Sequence, residues 1–143
     1  MIRLATKKDI PNLLEIEYSV FSEFDFRLSK ENFTYHQNKN HIYLVCEEDV
    51  ICGYILFLEY KNSLRIYSIA IKNEYSKKGY GTMLMEFLIN LAKQKTKNLI
   101  LEVKDDNQKA INLYKKLGFI VQKTLYKYYL DGKDGIKMAL VIK

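Results

Sequence analysis

The feature of this sequence that most restricts its fold is a change of hydrophobic period near Gly79. Three apolar runs with the length and composition of strands precede it, at 43–47, 51–59 and 64–71. After it, apolar residues recur at the spacing of a helix, at Leu84, Phe87, Leu88 and Leu91. A further apolar run follows at 99–103. A strand, a helix and a strand in this order predict a parallel pair joined by a right-handed crossover.

The segments outside this region predict three more helices and three more strands. Capping residues mark the start of each helix, at Thr6, Ser29 and Asn107. These helices are predicted to end near Phe21, His36 and Leu117. Apolar runs predict the additional strands, at 2–5, 119–129 and 136–142. Together these elements predict an α/β fold with a mixed sheet, in one domain that spans residues 1–143.

The composition is that of a globular protein. Hydrophobic residues make up 48% of the chain and charged residues 28%, with a single Pro. No stretch has 18 consecutive apolar residues, and no signal-peptide pattern is found at the start, so we expect a cytoplasmic protein. In that reducing compartment, Cys46 and Cys52 are expected to be core thiols rather than nucleophiles.

The positive charge is concentrated in the second half of the chain. Residues 1–70 carry a net charge of −2, whereas residues 71–143 carry +8. An excess of this size predicts a polyanionic ligand or partner for the second half.

The segment from Ser76 to Thr82 has the features of an anion-binding loop at a helix start. Gly79 and Gly81 allow the backbone to approach a ligand closely, and the amides of the first helical turn are free to bind it. A pyrophosphate is the favoured ligand, although an isolated Gly-x-Gly is also typical of an ordinary turn. A dinucleotide fingerprint is excluded because position 84 is Leu, and no Gly-Lys-Ser/Thr sequence of the ATP-binding P-loop occurs.

Several separated motifs resemble the GNAT acetyltransferase pattern in its usual order and spacing. They are Ser68-Ile69-Ala70-Ile71, the Gly79/Gly81 loop, Leu101-Glu102-Val103, Asn107, Ala110-Ile111, Leu113-Tyr114 and Leu117-Gly118-Phe119. The resemblance implies a mostly antiparallel sheet of about seven strands, with a splayed parallel pair in the middle and about four flanking helices. It also implies an enzyme that moves an acetyl group directly from acetyl-CoA to a primary amine, without a metal.

The same resemblance implies where acetyl-CoA would bind. Its pyrophosphate would lie on the glycine loop, and its pantetheine arm would lie like an extra strand between the strands that end at Ile71 and Val103. The implied cofactor-binding residues are Ile69, Ala70, Ile71, Lys77, Lys78, Gly79, Tyr80, Gly81, Thr82 and Asn107. Ser76 stands where the family usually has Arg or Gln, so one phosphate contact is either absent or supplied by Lys77 or Lys78.

Glu102 and Tyr114 are the catalytic candidates. A peptide α-amino group is mostly protonated near neutral pH, so a base has to remove a proton before the amine attacks the thioester. Glu102 interrupts an apolar strand, which suits a base facing a wet cleft, but a strand-end charge in solvent or paired with a lysine explains it equally well. By resemblance, Tyr114 is the acid that protonates the thiolate, whereas spacing alone favours a packed core tyrosine.

The two ends of the chain resemble the branch that contains ribosomal-protein-alanine and other protein N-terminal acetyltransferases. The matching residues are Ile2-Arg3-Leu4-Ala5-Thr6, Asp9-Ile10, Tyr128-Tyr129, Asp131-Gly132-Lys133-Asp134 and Met138. This branch implies a protein or peptide N-terminus as acceptor, although segment 22–28 lacks the Pro-Trp pair associated with the ribosomal-protein enzymes.

Aromatic and acidic residues are candidates for the acceptor site. The tyrosines that could line its groove are Tyr126, Tyr128 and Tyr129, and the acids that could attract its amine are Glu17, Glu23 and Asp25. Half-buried strand positions explain the tyrosines nearly as well, and a solvated helix face is the favoured explanation of the acids.

Three other interpretations stay open. A small-molecule acetyltransferase would act on a polyamine, an amino acid or an aminoglycoside. If Glu102 and Tyr114 are structural, the chain is a catalytically silent module that binds acetyl-CoA. Lysines and tyrosines interleaved near residues 123–133 also meet the crude criteria for nucleic-acid binding, which ranks low because the same charge suits coenzyme A. Direct transfer needs no covalent intermediate, and His36 and His41 are expected at the surface.

Overall fold

Seven strands form one mixed sheet in the computed structural model, which describes residues 1–142. The strands are β1 (Ile2–Leu4), β2 (Ile42–Glu47), β3 (Val50–Glu59), β4 (Ser63–Ile71), β5 (Asn98–Lys104), β6 (Ile120–Leu125) and β7 (Gly135–Leu140). They lie in the order β1-β2-β3-β4-β5-β7-β6. Within the described residues, β4 and β5 are the one parallel pair. The predicted mixed sheet is therefore confirmed.

Three of the four α-helices follow the predicted capping residues, and the fourth follows the predicted change of period at Gly79. They are α1 (Ile10–Val20), α2 (Lys30–Asn38), α3 (Tyr80–Lys95) and α4 (Gln108–Lys116). Ser29 accepts a hydrogen bond from the amide of Asn32 at 3.1 Å, and Asn107 accepts one from the amide of Ala110 at 3.3 Å. None of the helices within residues 1–142 is long and apolar enough to cross a membrane.

The sheet carries a hydrophobic core on each face. The core on the side of α3 and α4 includes Leu84, Leu88, Leu99, Leu101 and Phe119. The core on the side of α1 and α2 includes Leu13, Ile16, Phe33, Leu44 and Leu56. Cys52 packs in the first core and Cys46 in the second, and both are buried free thiols, as predicted. Covered faces on both sides explain why the central strands read as continuous apolar runs.

The chain between β6 and β7 departs from the strand predicted at 119–129. β6 ends at Leu125, and residues 126–129 belong to the loop that follows. Lys127 has a left-handed φ of 52°, and its amide donates to Oδ1 of Asp134 at 2.8 Å. A positive φ is incompatible with a strand, so the chain turns here. The tyrosines of this segment therefore come from a loop.

His36 and His41, which are expected at the surface, are half-buried there and not fully exposed. The ring of His41 packs 4.7 Å from that of Phe57, and its Nε2 lies 3.7 Å from Glu59. Burial lowers the pKa of both imidazoles.

The parallel strands β4 and β5 pair over only part of their length. Their register joins residues 63–66 of β4 to residues 98–101 of β5. Beyond these four pairs, β4 stays paired with β3 up to Ile71 and β5 stays paired with β7 up to Lys104, but no pair joins β4 to β5. The strands therefore separate and leave a gap in the middle of the sheet, which confirms the splayed parallel pair predicted from the sequence.

Candidate active site

The predicted anion-binding loop connects β4 to α3, and its backbone is shaped to hold a ligand. Lys77 and Gly79 have left-handed φ values of 66° and 83°. The first hydrogen bond of α3 runs from the amide of Met83 to the carbonyl of Gly79 at 3.0 Å. The amides of residues 80–82 have no backbone partner within residues 1–142, and they lie at the positive end of a 16-residue helix. This arrangement suits a phosphate.

Glu47, at the end of β2, holds two side chains of this loop. Its Oε2 lies 3.3 Å from Nζ of Lys78 and accepts a hydrogen bond from the hydroxyl of Tyr80. That hydrogen bond raises the pKa of Tyr80 to about 12. Lys78 and Tyr80 are thus oriented by the carboxylate of Glu47. A bound phosphate could take the place of this carboxylate as the anionic partner of both side chains.

The gap between β4 and β5 exposes backbone groups of β4. The amide of Lys72 donates to the carbonyl of Cys52 on β3 at 2.8 Å. Because successive residues of a strand direct their amides to opposite sides, those of Ile69 and Ile71 face the gap. An extended ligand can bond to them as an added strand would, which fits the predicted contact with a pantetheine arm.

Ala70 does not share this orientation. The same alternation directs its amide toward β3, where it pairs in register with Tyr54. Its methyl group is buried in the core on the side of α1 and α2. Unlike Ile69 and Ile71, Ala70 therefore does not direct its amide into the gap.

A cleft of about 740 Å³ opens where the two strands separate. Its walls include four of the predicted site residues, Ile69, Glu102, Asn107 and Tyr114. The loop residues 77–82 are not part of these walls and follow the end of β4, beyond Ile71. The fold thus brings the two catalytic candidates to one cleft and leaves the phosphate loop at the far end of the gap.

Glu102 forms an ion pair with Arg65 of β4, and not with a lysine. Nη2 of Arg65 donates to Oε1 of Glu102, and the two side chains are 26% and 13% exposed. The pair arises because Arg65 lies in register with Ile100, two residues before Glu102. Oε2 of Glu102 has no hydrogen-bond partner within residues 1–142, so it can accept a proton from a group in the cleft.

Tyr114 combines burial with a position on the cleft wall. Its side chain is packed against Phe119, with 5.9 Å between ring centroids, and the residue is 8% exposed. Burial raises the pKa of its phenol to about 12, so the phenol is protonated at neutral pH. A protonated phenol in this position can donate to a leaving group, and it is also part of the core.

Glu17 is buried, which corrects the prediction of a solvated helix face. The residue is 1% exposed and borders the cleft. Its Oε2 accepts the amide of Leu28 at 2.7 Å, and its Oε1 accepts the hydroxyl of Tyr54. The spacing contained a signal for this position, because Glu17 follows Leu13 by four residues and precedes Val20 by three, which places it on the apolar side of α1.

Lys104, at the end of β5, links the two loops that border the cleft. Its Nζ lies 2.8 Å from Oδ1 of Asp25 in the α1–α2 loop and 3.3 Å from Oδ2 of Asp131 in the β6–β7 loop. Burial acts to lower the pKa of Lys104, but the hydrogen bonds to both carboxylates outweigh it and the pKa is raised. We call this arrangement of Lys104, Asp25 and Asp131 the lysine bridge. Sequence reasoning missed the role of Lys104.

Aromatic rings from the same two loops meet beside the lysine bridge. The ring of Phe26 stacks on Tyr129 at 5.7 Å and meets Tyr128 edge-on at 5.5 Å between centroids. All three residues line the cleft. Tyr126 is 81% exposed and Glu23 is also exposed, and neither lines the cleft. Of the residues predicted for the acceptor site, Glu17, Asp25, Tyr128 and Tyr129 therefore line the cleft.

Comparison with known proteins gives the same family for sequence and fold. Over 99% of its length, the chain is 34% identical to the putative [ribosomal protein bS18]-alanine N-acetyltransferase of Bacillus subtilis, of which it covers 95%. A stretch of 76 residues is 42% identical to the N-alpha-acetyltransferase of Sulfurisphaera tokodaii and spans 52% of this chain and 46% of that protein.

A solved structure extends the comparison to the whole fold. The ribosomal-protein-S18-alanine N-acetyltransferase from Escherichia coli matches with a TM-score of 0.90 at 27% identity, covering 100% of this chain and 94% of that one. Residues 8–119 match the acetyltransferase (GNAT) family, as the motifs around Gly79 and Glu102 predict. The chain therefore belongs to the GNAT family of acetyltransferases.

Proposed function

We propose that this enzyme transfers the acetyl group of acetyl-CoA to the α-amino group of a protein or peptide N-terminus. The observation that carries the proposal is the meeting of Glu102 and Tyr114 at one cleft, beside the unpaired edge of β4. Two relatives, by their names, are an N-alpha-acetyltransferase and an alanine N-acetyltransferase of a ribosomal protein. The first name specifies an α-amino group as acceptor, and the second specifies an alanine of a ribosomal protein.

The donor site fits acetyl-CoA in two places. The free amides of residues 80–82 would hold its pyrophosphate, and Lys77 and Lys78 would add positive charge there. The gap-facing amides of Ile69 and Ile71 would bond to the pantetheine arm. This placement directs the thioester toward the cleft wall that contains Asn107 and Tyr114.

The side chains of the cleft would supply the proton transfers. The amine forms the new C–N bond to the thioester carbonyl, and the C–S bond then breaks. Glu102 would accept an N–H proton through its open Oε2 or through a water, and Tyr114 would give its proton to the departing thiolate. A backbone amide near Ile71 would stabilise the oxyanion.

The loops around the cleft suit a peptide better than a compact amine. Phe26, Tyr128 and Tyr129 offer an aromatic wall, with the lysine bridge next to it. Aromatic rings with polar tips provide both contact area and hydrogen-bonding groups for an extended chain. A peptide backbone presents amides and carbonyls over several residues to such a wall.

A direct test uses labelled acetyl-CoA and synthetic peptides that differ only in their first residue, with spermidine and free amino acids in parallel. We expect mass spectrometry to find the label on the α-nitrogen of a subset of the peptides. Preferential labelling of spermidine or of a free amino acid would identify a small-molecule acetyltransferase instead. Tight binding of acetyl-CoA without transfer to any acceptor would identify a silent binding module.

A further inference from the structure

A chain of three hydrogen-bonded side chains runs from the cleft wall toward α1. Ser68 on β4 lines the cleft, and its Oγ lies 2.8 Å from the hydroxyl of Tyr54 on β3. The hydroxyl of Tyr54 also bonds to Oε1 of Glu17 on α1. Tyr54 is 0% exposed and Glu17 is 1% exposed. Glu17 borders the cleft, but its Oε2 is engaged by the amide of Leu28 and its Oε1 by Tyr54, so two hydroxyl groups connect this carboxylate to the open lone pairs of Ser68.

The hydroxyl protons of this chain point in one direction. Tyr54 has a single hydroxyl proton, and it donates that proton to Glu17. Ser68 must therefore be the donor in its contact with Tyr54. This leaves the lone pairs of Ser68 Oγ available to a donor in the cleft, and an ammonium group is such a donor. Each hydroxyl can then pass one proton on as it receives another.

Glu17 is a better proton acceptor than an exposed carboxylate would be. Burial raises its pKa, and the hydrogen bonds from Tyr54 and from the amide of Leu28 oppose this only in part. The titratable and charged groups that face it are Tyr54 from β3, Tyr67 from β4, and Arg27 from the α1–α2 loop. Within residues 1–142, Glu17 forms no ion pair with Arg27 or any other cation.

The geometry points to a proton relay in which Ser68, Tyr54 and Glu17 deprotonate the ammonium group of the acceptor, a role that rests on the proposed function. An N–H bond of the ammonium breaks and its proton binds to Oγ of Ser68. The proton of Ser68 passes to Tyr54, and that of Tyr54 passes to Glu17. The products are a neutral amine and a neutral Glu17, and both hydroxyls are restored without being ionised.

The overall reaction requires two proton acceptors, so the relay and Glu102 can both act in it. An ammonium group loses two N–H protons on the way to an amide, and the thiolate of coenzyme A takes up one. The relay removes the first proton before the attack. Glu102 removes the second after the C–N bond has formed, and Tyr114 protonates the thiolate as the C–S bond breaks. One of the two removed protons then restores Tyr114, and the other is released.

The pH dependence of two variants tests the relay. Ser68→Ala removes its entrance, and Tyr54→Phe removes its middle while keeping the buried ring. Ser63→Ala, at the start of β4 and outside the cleft, is the matched control. The measurement is kcat/KM for the peptide preferred in the screen above, at saturating acetyl-CoA, with melting temperatures recorded for every variant.

We expect both variants to lower kcat/KM by about 10-fold or more at about pH 6.5 and by only about 2-fold at about pH 9.5, where most of an α-amino group with pKa near 8 is already neutral. Ser63→Ala should match the wild type throughout. A loss that is the same at every pH would overturn the relay and assign these residues to structure. Absence of acetyl transfer by the wild-type enzyme would overturn the proposed function and the relay with it, whereas an active wild type with pH-independent losses overturns the relay alone.

Discussion

Arg65 and Glu102 form an ion pair at the place where the two parallel strands separate. One carboxylate oxygen is engaged by the guanidinium, and the other is open. The ion pair therefore fixes the orientation of Glu102 without blocking it.

Replacing Glu102 by Gln should lower kcat by about 100-fold while leaving the affinity for acetyl-CoA unchanged, because positioned bases typically contribute at least this much. Steady-state kinetics and isothermal titration with acetyl-CoA measure the two quantities. Glu86→Gln, on the exposed side of α3, is the matched control. A variant that keeps half of the wild-type kcat would show that Glu102 is not the base.

Replacing Tyr114 by Phe should lower kcat by a similar factor, and it should also change the alkaline stability of the protein. A phenol with a pKa of about 12 in the folded state and about 10 when unfolded favours folding below pH 10, and this contribution is lost as the pH rises toward 12. As the pH rises from about 10 to 12, the free energy of unfolding of the wild type should therefore fall by up to about 3 kcal/mol more than that of the variant. Urea unfolding at about pH 9 and about pH 12 measures this difference. An equal fall in the free energy of unfolding for wild type and variant would contradict the prediction.

Replacing Lys104 by Met should raise the KM for the acceptor peptide by about 3- to 10-fold and leave the KM for acetyl-CoA unchanged, since two partly buried ion pairs are lost. The α1–α2 and β6–β7 loops would lose their ionic link beside the cleft and keep the aromatic contacts of Phe26 with Tyr128 and Tyr129. Lys93→Met, in the last turn of α3, serves as the control. An equal rise in both KM values would indicate a general loss of structure.

Replacing Gly53 by Ala should destabilise the sheet by about 1–3 kcal/mol, as overpacking generally does. A Cβ atom at this position would lie 2.5 Å from the carbonyl oxygen of Ala70 and would overlap Cδ1 of Ile71. The displaced end of β4 should also weaken acetyl-CoA binding. Thermal unfolding measures the first effect and titration the second. Gly81→Ala, whose Cβ would lie 3.9 Å from Ile71, should leave the melting temperature within a few degrees of the wild type.

Local signals in the sequence were sufficient for most of the fold. The helix caps at Ser29 and Asn107 and the period change at Gly79 depend on neighbouring residues, and the structure has helices at each of these places. The predicted end of β6 lies four residues beyond the observed one because Tyr126 and Tyr128 have high strand propensity. The turn that ends the strand depends on a hydrogen bond from the amide of Lys127 to Asp134, which strand propensity does not reveal.

The sequence predicted the site residues that belong to a motif, such as Glu102 and Tyr114, but not the partners that hold them. The partner of Glu102 could not be identified, because Arg65 is 37 residues away and meets it through the register of the parallel strands. The lysine bridge could not be identified either, because it joins Lys104 to two loops that are distant in sequence and meet only in the folded chain. Helical spacing indicates that Glu17 lies on the buried face of α1. It does not indicate the hydrogen-bond partner that makes burial of the carboxylate tolerable, which is Tyr54 on β3.

The short pairing of β4 with β5 has a mechanical consequence. Within residues 1–142, four backbone pairs join β4 to β5, and the packing of α3 on both strands supplies much of the remaining connection between the two halves of the sheet. A donor molecule bonded along the gap would add main-chain hydrogen bonds where this backbone pairing ends. Amides of β4 that face the gap should therefore exchange with solvent more slowly when acetyl-CoA is bound than when the site is free.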